Sequence, residues 1–584
     1  MDAIPVRALA LTAHDPIHIS GNTGFTNASG VVWGSGTTSD PYIIADWDIN
    51  ASSANGIEIR DSDVHFIVRN CYIYDGGSIH SGIGLFDCVN GMVRNNTCSN
   101  DYFGIHLYVS SGNTLSNNTC SNDTEGIRFD YSDVNIISNN TCSGNGDGIS
   151  LSWSSNNALI DNNCSSNNQY GVYLYSSIDN TLNNNTCSNN MEGIDIDSSS
   201  GNTLTNNRMI NDGISMEGDS LSYWNTHSID TSNTVNGKPV YYLKDQNGTT
   251  VPPGAGEVIM ANCTNVLLEN QNLSNSGCGI EIISSSNILI VNNTCNSNNY
   301  YGIWLQSSSG NTLSNNTCSL NTWAGITLYS SGGNTLSDNN CSSNNWAGIW
   351  LFSSSGNALS NNNYQNNGYG IILEGSSDDN TLSDNNCSSN NWAGISLQSL
   401  GGNTLINNNC SNSNIGMELY SSSNNTLSCN NCSNNSEYGL ALWSSNGNNI
   451  IWNQIRDNHG YGVFISSGST NNMIWNNTFI HNNGAGDTYD PAHIQAYDDG
   501  TDNWWNSTDG YGNYWSDWTG PDANTDGIVD LPYNISGSAG AKDNYPLTTT
   551  PSEPIPEFGM MPLVVMALLA AIVLTIGSRR RKAQ

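Results

Sequence analysis

Apolar residues in this chain come in short alternating runs broken by Ser, Gly and Asn. From Gly302 the pattern reads Gly-Ile-Trp-Leu-Gln, then Asn311-Thr-Leu, then Asn316-Thr-Cys-Ser, and the same pieces restart at Gly325 and Gly348. Alternation over a few residues between turn-forming residues predicts strands. No piece is long enough for a helix, and Asn, Ser and Gly are poor helix formers. A Gly followed by Ile, Val, Met or Leu marks each unit. It falls at Gly56, Gly82, Gly104, Gly126, Gly148, Gly171 and Gly193, and again at Gly279, Gly302, Gly325, Gly348, Gly370, Gly394, Gly416, Gly439 and Gly462. Within each block the spacing is 22 to 24 residues, apart from a first step of 26.

Three strands per unit predict one turn of a three-sided coil with Ile, Leu and Cys inward. Stacked at roughly 4.8 Å per step, such coils bury together what one cannot bury alone. The fold expected is all-β, a parallel β-helix solenoid of about 16–20 coils. Leucine-rich repeats would need more leucines and often a helical side, and propeller blades about twice the period. Handedness is not readable from spacing.

The aperiodic stretches set the boundaries. They give an N-terminal segment at 1–14, a cap at 15–54, coils at 55–212 and 279–482, and a C-terminal cap at 483–547. Between the blocks, 213–278 reads as an insertion with hairpins projecting from one face, its turns signalled by Asn236-Gly237 and Asn247-Gly248. A linker and motif at 548–559, a transmembrane helix at 560–578 and a basic cytoplasmic tail at 579–584 close the chain. The patch Ala8-Leu9-Ala10-Leu11 makes a poor export signal beside Asp2 and Pro5.

Charge narrows the function. The chain carries 50 acidic and 14 basic residues, and four of the latter are Arg579, Arg580, Arg581 and Lys582. The body therefore has no footprint for nucleic acid, whose binding rests on neutralising phosphates.

Two resemblances follow from quoted residues. Pro556-Glu557-Phe558, then an uncharged apolar run and a basic tail, resembles the sorting signal of archaeal surface proteins. That resemblance implies cutting by an archaeosortase-like enzyme and transfer to a lipid anchor, with loss of the helix. The Gly-Ile-x-Leu coils, Asn236-Gly-Lys-Pro-Val-Tyr-Tyr242 and Gly512-Asn-Tyr-Trp-Ser-Asp517 together resemble NosD-type β-helix proteins over nearly residues 40–547. The resemblance implies a right-handed helix. It also implies either periplasmic copper-site maturation or, in the wider group, carbohydrate binding or sugar hydrolysis.

Five sets of residues are candidates. Cys98, Cys120, Cys142, Cys164 and Cys187 recur once per coil, as do Cys295, Cys318, Cys341, Cys387, Cys410 and Cys432, with Tyr364 interrupting. They read as a buried ladder of small apolar groups. Cys71 with Cys88, and Cys429 with Cys432, lie partly off it and are the candidates for a bridge or a ligand. Copper would need converging exposed soft ligands, and the nine His show no paired spacing. Asp522, Asn524, Asp526, Ile528 (through its carbonyl) and Asp530 present oxygens at relative positions 1, 3, 5, 7 and 9 around Gly527, which suits Ca²⁺. Tyr533 replaces the bidentate Glu at position 12, so the site expected is structural.

Outward positions of Gly-Ile-x-Leu-x hold Trp304, Tyr329, Trp350 and Phe352, with Trp323, Trp346 and Trp392 just before marker glycines. Aromatics in such an array suit pyranose faces or stack between coils. On the same face His106, Arg128, Asp130, Asp195 and Asp197 are weak catalytic candidates and read as solvated surface polars. Lyase or epimerase chemistry on an anionic sugar would want a basic clamp that the second block lacks. Asn-x-Ser/Thr sites at Asn27, Asn50, Asn95, Asn117, Asn139, Asn292, Asn315, Asn476 and Asn534 suit an exported glycoprotein. The expectation is a surface-anchored, non-catalytic binding or structural protein that contacts carbohydrate or another cell-surface component. A polysaccharide-active hydrolase, lyase or epimerase is the alternative, and a copper-maturation factor the second.

Overall fold

The computed structural model describes residues 11–551. The Pro556-Glu557-Phe558 motif, the apolar run at 560–578 and the basic tail lie outside the described residues. Among the described residues no helix is long and apolar enough to cross a membrane.

The repeat folds as a parallel β-solenoid of about 19 turns. In the first half, the Gly-Ile strands form one nine-stranded sheet from Ile17–Ser20 to Ile214–Glu217, and the Leu strands form a second. The Cys strands form a third, in strict register: Cys98 pairs with Cys120, then Cys142, Cys164 and Cys187 in turn. Inward Ile, Leu and Cys side chains are buried throughout. The marker glycines permit this stacking. A Cβ on Gly325 would lie 2.6 Å from Cys341 Cβ and 2.8 Å from the Gly348 carbonyl oxygen.

Corners are sharp because each needs a left-handed residue, and Asn tolerates that region. Asn95, Asn117 and Asn139 take it on successive coils, each at φ 54°. The residue that follows turns inward and forms a polar ladder. Asn118 Oδ1 accepts from the backbone N–H and the side-chain Nδ2 of Asn96 (3.1 and 3.0 Å), while its own Nδ2 donates to the Val93 carbonyl (2.9 Å). Asn140, Asn162, Asn185 and Asn207 repeat the arrangement.

Cys71 and Cys88 head two different ladders. The Cys71 N–H donates to Asn96 and the Cys88 N–H to Ser110. Their thiols donate to the Arg69 and Ile59 carbonyls, so these candidates for a bridge or a ligand are two separate buried thiols. Cys432 stays in the ladder register opposite Ile455, and Cys429 occupies a left-handed corner.

The segment 213–278 does not project. Ile214–Glu217, Ser228–Ile229 and Thr234–Val235 complete one more coil of the first solenoid. Asn236-Gly237 then makes the single hairpin, and Lys238–Lys244 runs antiparallel to Thr234–Val235. Lys238–Lys244 next pairs in parallel with Glu257–Ala261, so Asn247-Gly248 turns a coil corner and not a hairpin. Strand direction thus reverses in a continuous sheet, and the inner face changes with it. Ile259, Ala261 and Ile283 enter the first core, while Val258, Met260, Ile280 and Ile282 enter a second. Reversing both direction and inner face preserves the winding sense. Two solenoids therefore share one sheet at a joint, the first coils of the second lying across the open end of the first. At the far end Phe479, Trp515 and Tyr533 stack at 4.1 Å spacings as a cap.

One ladder contains carboxyls where its other members are amides. Asp101 and Asp123 each use one oxygen to accept a backbone N–H at 2.8 Å, from Gly76 and from Asp101 respectively. Their second oxygens are buried without a partner. In the next coil, Asn145 uses its amide nitrogen to reach the Cys120 carbonyl. Burial pushes Asp101 up to about 7 and Asp123 higher still. Because these folded-state values are raised, the stability tied to the neutral acids is complete below about pH 4 and is lost as pH climbs to about 7 for Asp101, and beyond for Asp123. Asp123→Asn is expected to match the parent in thermal unfolding at pH 4 and to exceed it by about 1–3 kcal/mol at pH 8. Equal stability at both pH values would refute this account of the ladder.

Candidate functional site

The joint also makes a cleft. Its floor is the last strand of the Gly-Ile sheet, Ile214–Glu217, whose edge has no further coil to pair with. Its wall is the outward face of the second solenoid. The cavity between them measures about 180 Å³ and is lined by Glu192, Ser215 and Glu217 below, and by Glu281, Tyr300, Tyr301, Trp304, Tyr329 and Trp350 around.

An unpaired strand edge presents open N–H groups, and here two carboxyls from the wall cap it. Glu257 accepts from the Ile214 N–H at 2.9 Å and Glu281 from the Met216 N–H at 3.3 Å. The other oxygens of both, and Oδ1 of Asp195, are buried without a partner. No lysine or arginine lines the cavity. Burial, first, and then neighbouring acids push Glu192, Asp195 and Glu281 well above the usual carboxylate range, and burial does the same to Glu257. The cluster is therefore neutral at its centre. Glu217, at the mouth, is exposed, and burial followed by Asp197 raises it too.

The aromatic candidates divide by position. Trp304, Tyr329 and Trp350 line the cavity. Phe352 stacks on Tyr329 at 5.0 Å, and Tyr300, Trp323 and Trp346 continue as a row at 6.1 Å intervals. Trp392 packs on Tyr369, two strands beyond Trp350 and outside the cavity. The rings thus stack between coils and still present surface: Tyr329 is 36%, Trp323 41% and Trp392 49% exposed. A second exposed row lies on the first solenoid, where Tyr108, Tyr131, Trp153 and Tyr175 follow one another at 6.0, 6.3 and 5.7 Å.

The proposed catalytic set is split. His106 and Arg128 both bind Asp130 (3.0 and 2.7 Å), and Arg128 also meets Glu125. Burial raises Asp130, yet the hydrogen bonds from His106 and Arg128 outweigh it and hold the carboxyl below its usual range. These groups are half-buried and paired, and Asp195 is buried, so the expectation of solvated surface polars is corrected. Asp195 and Asp197 lie three strand steps away, roughly 14 Å at the usual spacing, and belong with the joint. Asp197 accepts from the Tyr173 hydroxyl at 3.3 Å.

Sequence reasoning missed Glu192, Glu217, Glu257 and Glu281. Their only signal was acidic side chains at outward strand positions on either side of the break in periodicity.

In the acidic loop, Asp522 accepts from the Asp526 and Gly527 amides, Asp526 from Ile528, and Asp530 from Ala523. Asn524 bonds Asp526. Among the described residues no group of three or more His, Cys, Asp or Glu is placed to hold a metal ion. Among the described residues the ladder thiols are wholly buried inside the coils, an arrangement that does not suit copper.

With this geometry in hand, comparison with known proteins gives two family matches. The family described as periplasmic copper-binding protein (NosD) matches residues 48–242 and 347–520. The right-handed beta helix region matches 256–409. No curated protein matches. Among solved structures, a periplasmic alginate epimerase (AlgG) is 12% identical over 74% of this chain and 84% of its own, with a TM-score of 0.31. The Azotobacter vinelandii mannuronan C-5 epimerase AlgE4 A-module is 12% identical over 63% of this chain and 90% of its own, also at 0.31. A GH87 α-1,3-glucanase catalytic domain is 13% identical over 60% and 61%, at 0.27.

Raised carboxyls at a strand edge make the joint sensitive to base. As pH rises from 5 to 9, amide hydrogen exchange in 214–217 and 257–261, corrected for its intrinsic rate, is expected to accelerate relative to the coils at 335–373. The Glu257→Gln/Glu281→Gln pair is expected to abolish that difference, and an unchanged pH response in it would exclude these acids as the cause.

Proposed function

The chain belongs to the family described as periplasmic copper-binding protein (NosD), and from that footing we propose that it binds a neutral carbohydrate outside the cell, in the cleft at the joint. The observation that carries the reading is an aromatic wall facing carboxyls with no cation between them. Aromatic faces suit the C–H faces of a pyranose ring, and carboxyls and amides suit its hydroxyls. An anionic sugar would meet buried acids and no counter-charge, which disfavours uronate epimerase or lyase chemistry at this place. The cavity is of the size of a single sugar ring, and the exposed ring rows on both solenoids extend the platform for a chain.

The family name supports an extracytoplasmic setting. The Pro556-Glu557-Phe558 motif and the apolar run after it support tethering at the C-terminus, through a helix or a lipid anchor, on an archaeal cell. Copper maturation has less support, because the donors described do not suit the ion.

Calorimetry of the full-length protein with cellohexaose, laminarihexaose, mannohexaose and chitohexaose tests the site. Trp350→Ala and Tyr329→Ala are each expected to weaken binding about tenfold, or about 1.4 kcal/mol. Trp392→Ala, outside the cavity, is expected to change it less than about threefold. Binding that ignores all three substitutions, or no binding of any of the four, would overturn the proposal.

A further inference from the structure

Six carboxyls gather at one joint of a chain that has few cations to pair with them, and their roles are not equivalent. Glu257 and Glu281 cap the open edge of Ile214–Glu217. That structural task leaves Glu192, Asp195, Asp197 and Glu217 unexplained. Asp195 is buried with an orphaned oxygen, and Asp197 is held by Tyr173. Glu192 and Glu217 both line the cavity from neighbouring strands, whose register sets Glu217 opposite Asp197, five positions along from Glu192. The first is 3% exposed and the second open at the mouth. Aromatic rings stand opposite both.

We propose that the cleft hydrolyses the glycosidic bond of the neutral glycan it binds, with Glu192 as proton donor and Glu217 as the base that activates water. The step balances without any further reagent. Glu192 gives its proton to the glycosidic oxygen as the bond from that oxygen to the anomeric carbon breaks. Water adds to the anomeric carbon and yields its proton to Glu217. The products are a shortened glycan with a free reducing end and an alcohol-terminated fragment. Proton exchange with solvent then restores the two carboxyls.

Their surroundings suit the division of labour. Glu192 is enclosed, and burial followed by the nearby Glu281 holds its proton on. Glu217 is raised as well, by burial and then by Asp197, yet at the mouth it stays open to solvent that supports a charge. An enclosed acid and a solvent-open acid facing one cavity are the arrangement that acid–base cleavage of an acetal needs. The orphaned oxygens of Asp195 and Glu281 beside them are uncompensated polar groups in the folded protein, the kind of cost to stability that a working site carries. Tyr300, Tyr301 and Trp304 shield the enclosed end from bulk water, which keeps Glu192 protonated and the attacking water singular.

This inference rests on the carbohydrate reading above, and binding and cleavage are separable. The full-length protein is incubated with each of the four neutral hexasaccharides at pH 5 to 7, and new reducing ends are counted alongside calorimetric binding. The parent is expected to release reducing ends. Glu192→Gln is expected to lower turnover at least 100-fold with affinity kept within about threefold, and Glu217→Gln is expected to do the same. Glu217 is exposed, so its substitution decides the matter even where Glu192→Gln fails to fold, as thermal unfolding would reveal. A parent that binds a hexasaccharide and leaves it intact overturns the hydrolytic proposal while leaving binding in place. Turnover at the parental rate in folded Glu192→Gln or Glu217→Gln overturns the assignment. No binding of any hexasaccharide removes the carbohydrate reading, and this proposal with it.

Discussion

The structure depends on one recurring interaction: a buried side-chain amide that closes the backbone of the neighbouring coil. A solenoid corner takes the chain out of its ladder, leaving N–H and C=O groups inside with no strand partner. An Asn at that point supplies both an acceptor and a donor, and the next Asn along the axis does the same for it. Asn96, Asn118 and Asn140 show the unit, with contacts of 2.9–3.1 Å. Each ladder is satisfied only if every member is in register, so the polar interior enforces coil length as strictly as the apolar one. This explains how a chain with 36% hydrophobic residues can build a continuous core. Positions that would be Leu in an oilier repeat are amides satisfied along the axis.

Where a ladder ends, the chain changes chemistry. Cys71, Cys88 and His227 occupy end positions, where a thiol or an imidazole takes the place of the amide or hydroxyl. Carboxyls stand in the first positions of one ladder, at Asp101 and Asp123, and at its far end, at Asp212, and in larger numbers at the joint. An acid that caps an N–H and has nothing facing its second oxygen stays neutral, and that property connects stability to pH. The same property places a proton where chemistry could use it. The joint is thus the place where the cost of ending one solenoid and the opportunity for a site coincide.

The reversal at Asn236-Gly237 organises the functional surface. Had the coils simply continued, the outward faces of both blocks would lie on one straight rod. Exchanging the inner face sets the second solenoid across the end of the first. Trp304 and Tyr329 are then lifted over Glu192 and Glu217, which lie more than eighty residues away in sequence. A β-helix offers long flat walls and few concavities, and here the concavity comes from a change of axis.

The repeat itself was legible in the chain. The marker glycines, the αL-tolerant Asn at corners and the inward Ile, Leu and Cys follow from a period of 22 to 24 residues, because in-register stacking makes each coil's environment a copy of the last. The outward aromatics were legible for the same reason, and Trp304, Tyr329 and Trp350 stand where alternation puts them. What periodicity could not carry was the single place where it fails. The break at 213–278 read as a projection, since nothing local says that a two-residue turn will reverse a sheet and swap its faces. Glu192, Glu217, Glu257 and Glu281 looked like ordinary outward acids, and their burial comes from a second solenoid folding over them. Local sequence determined the coil, because each of its contacts repeats. Only the tertiary structure decided the cleft, because its contacts occur once.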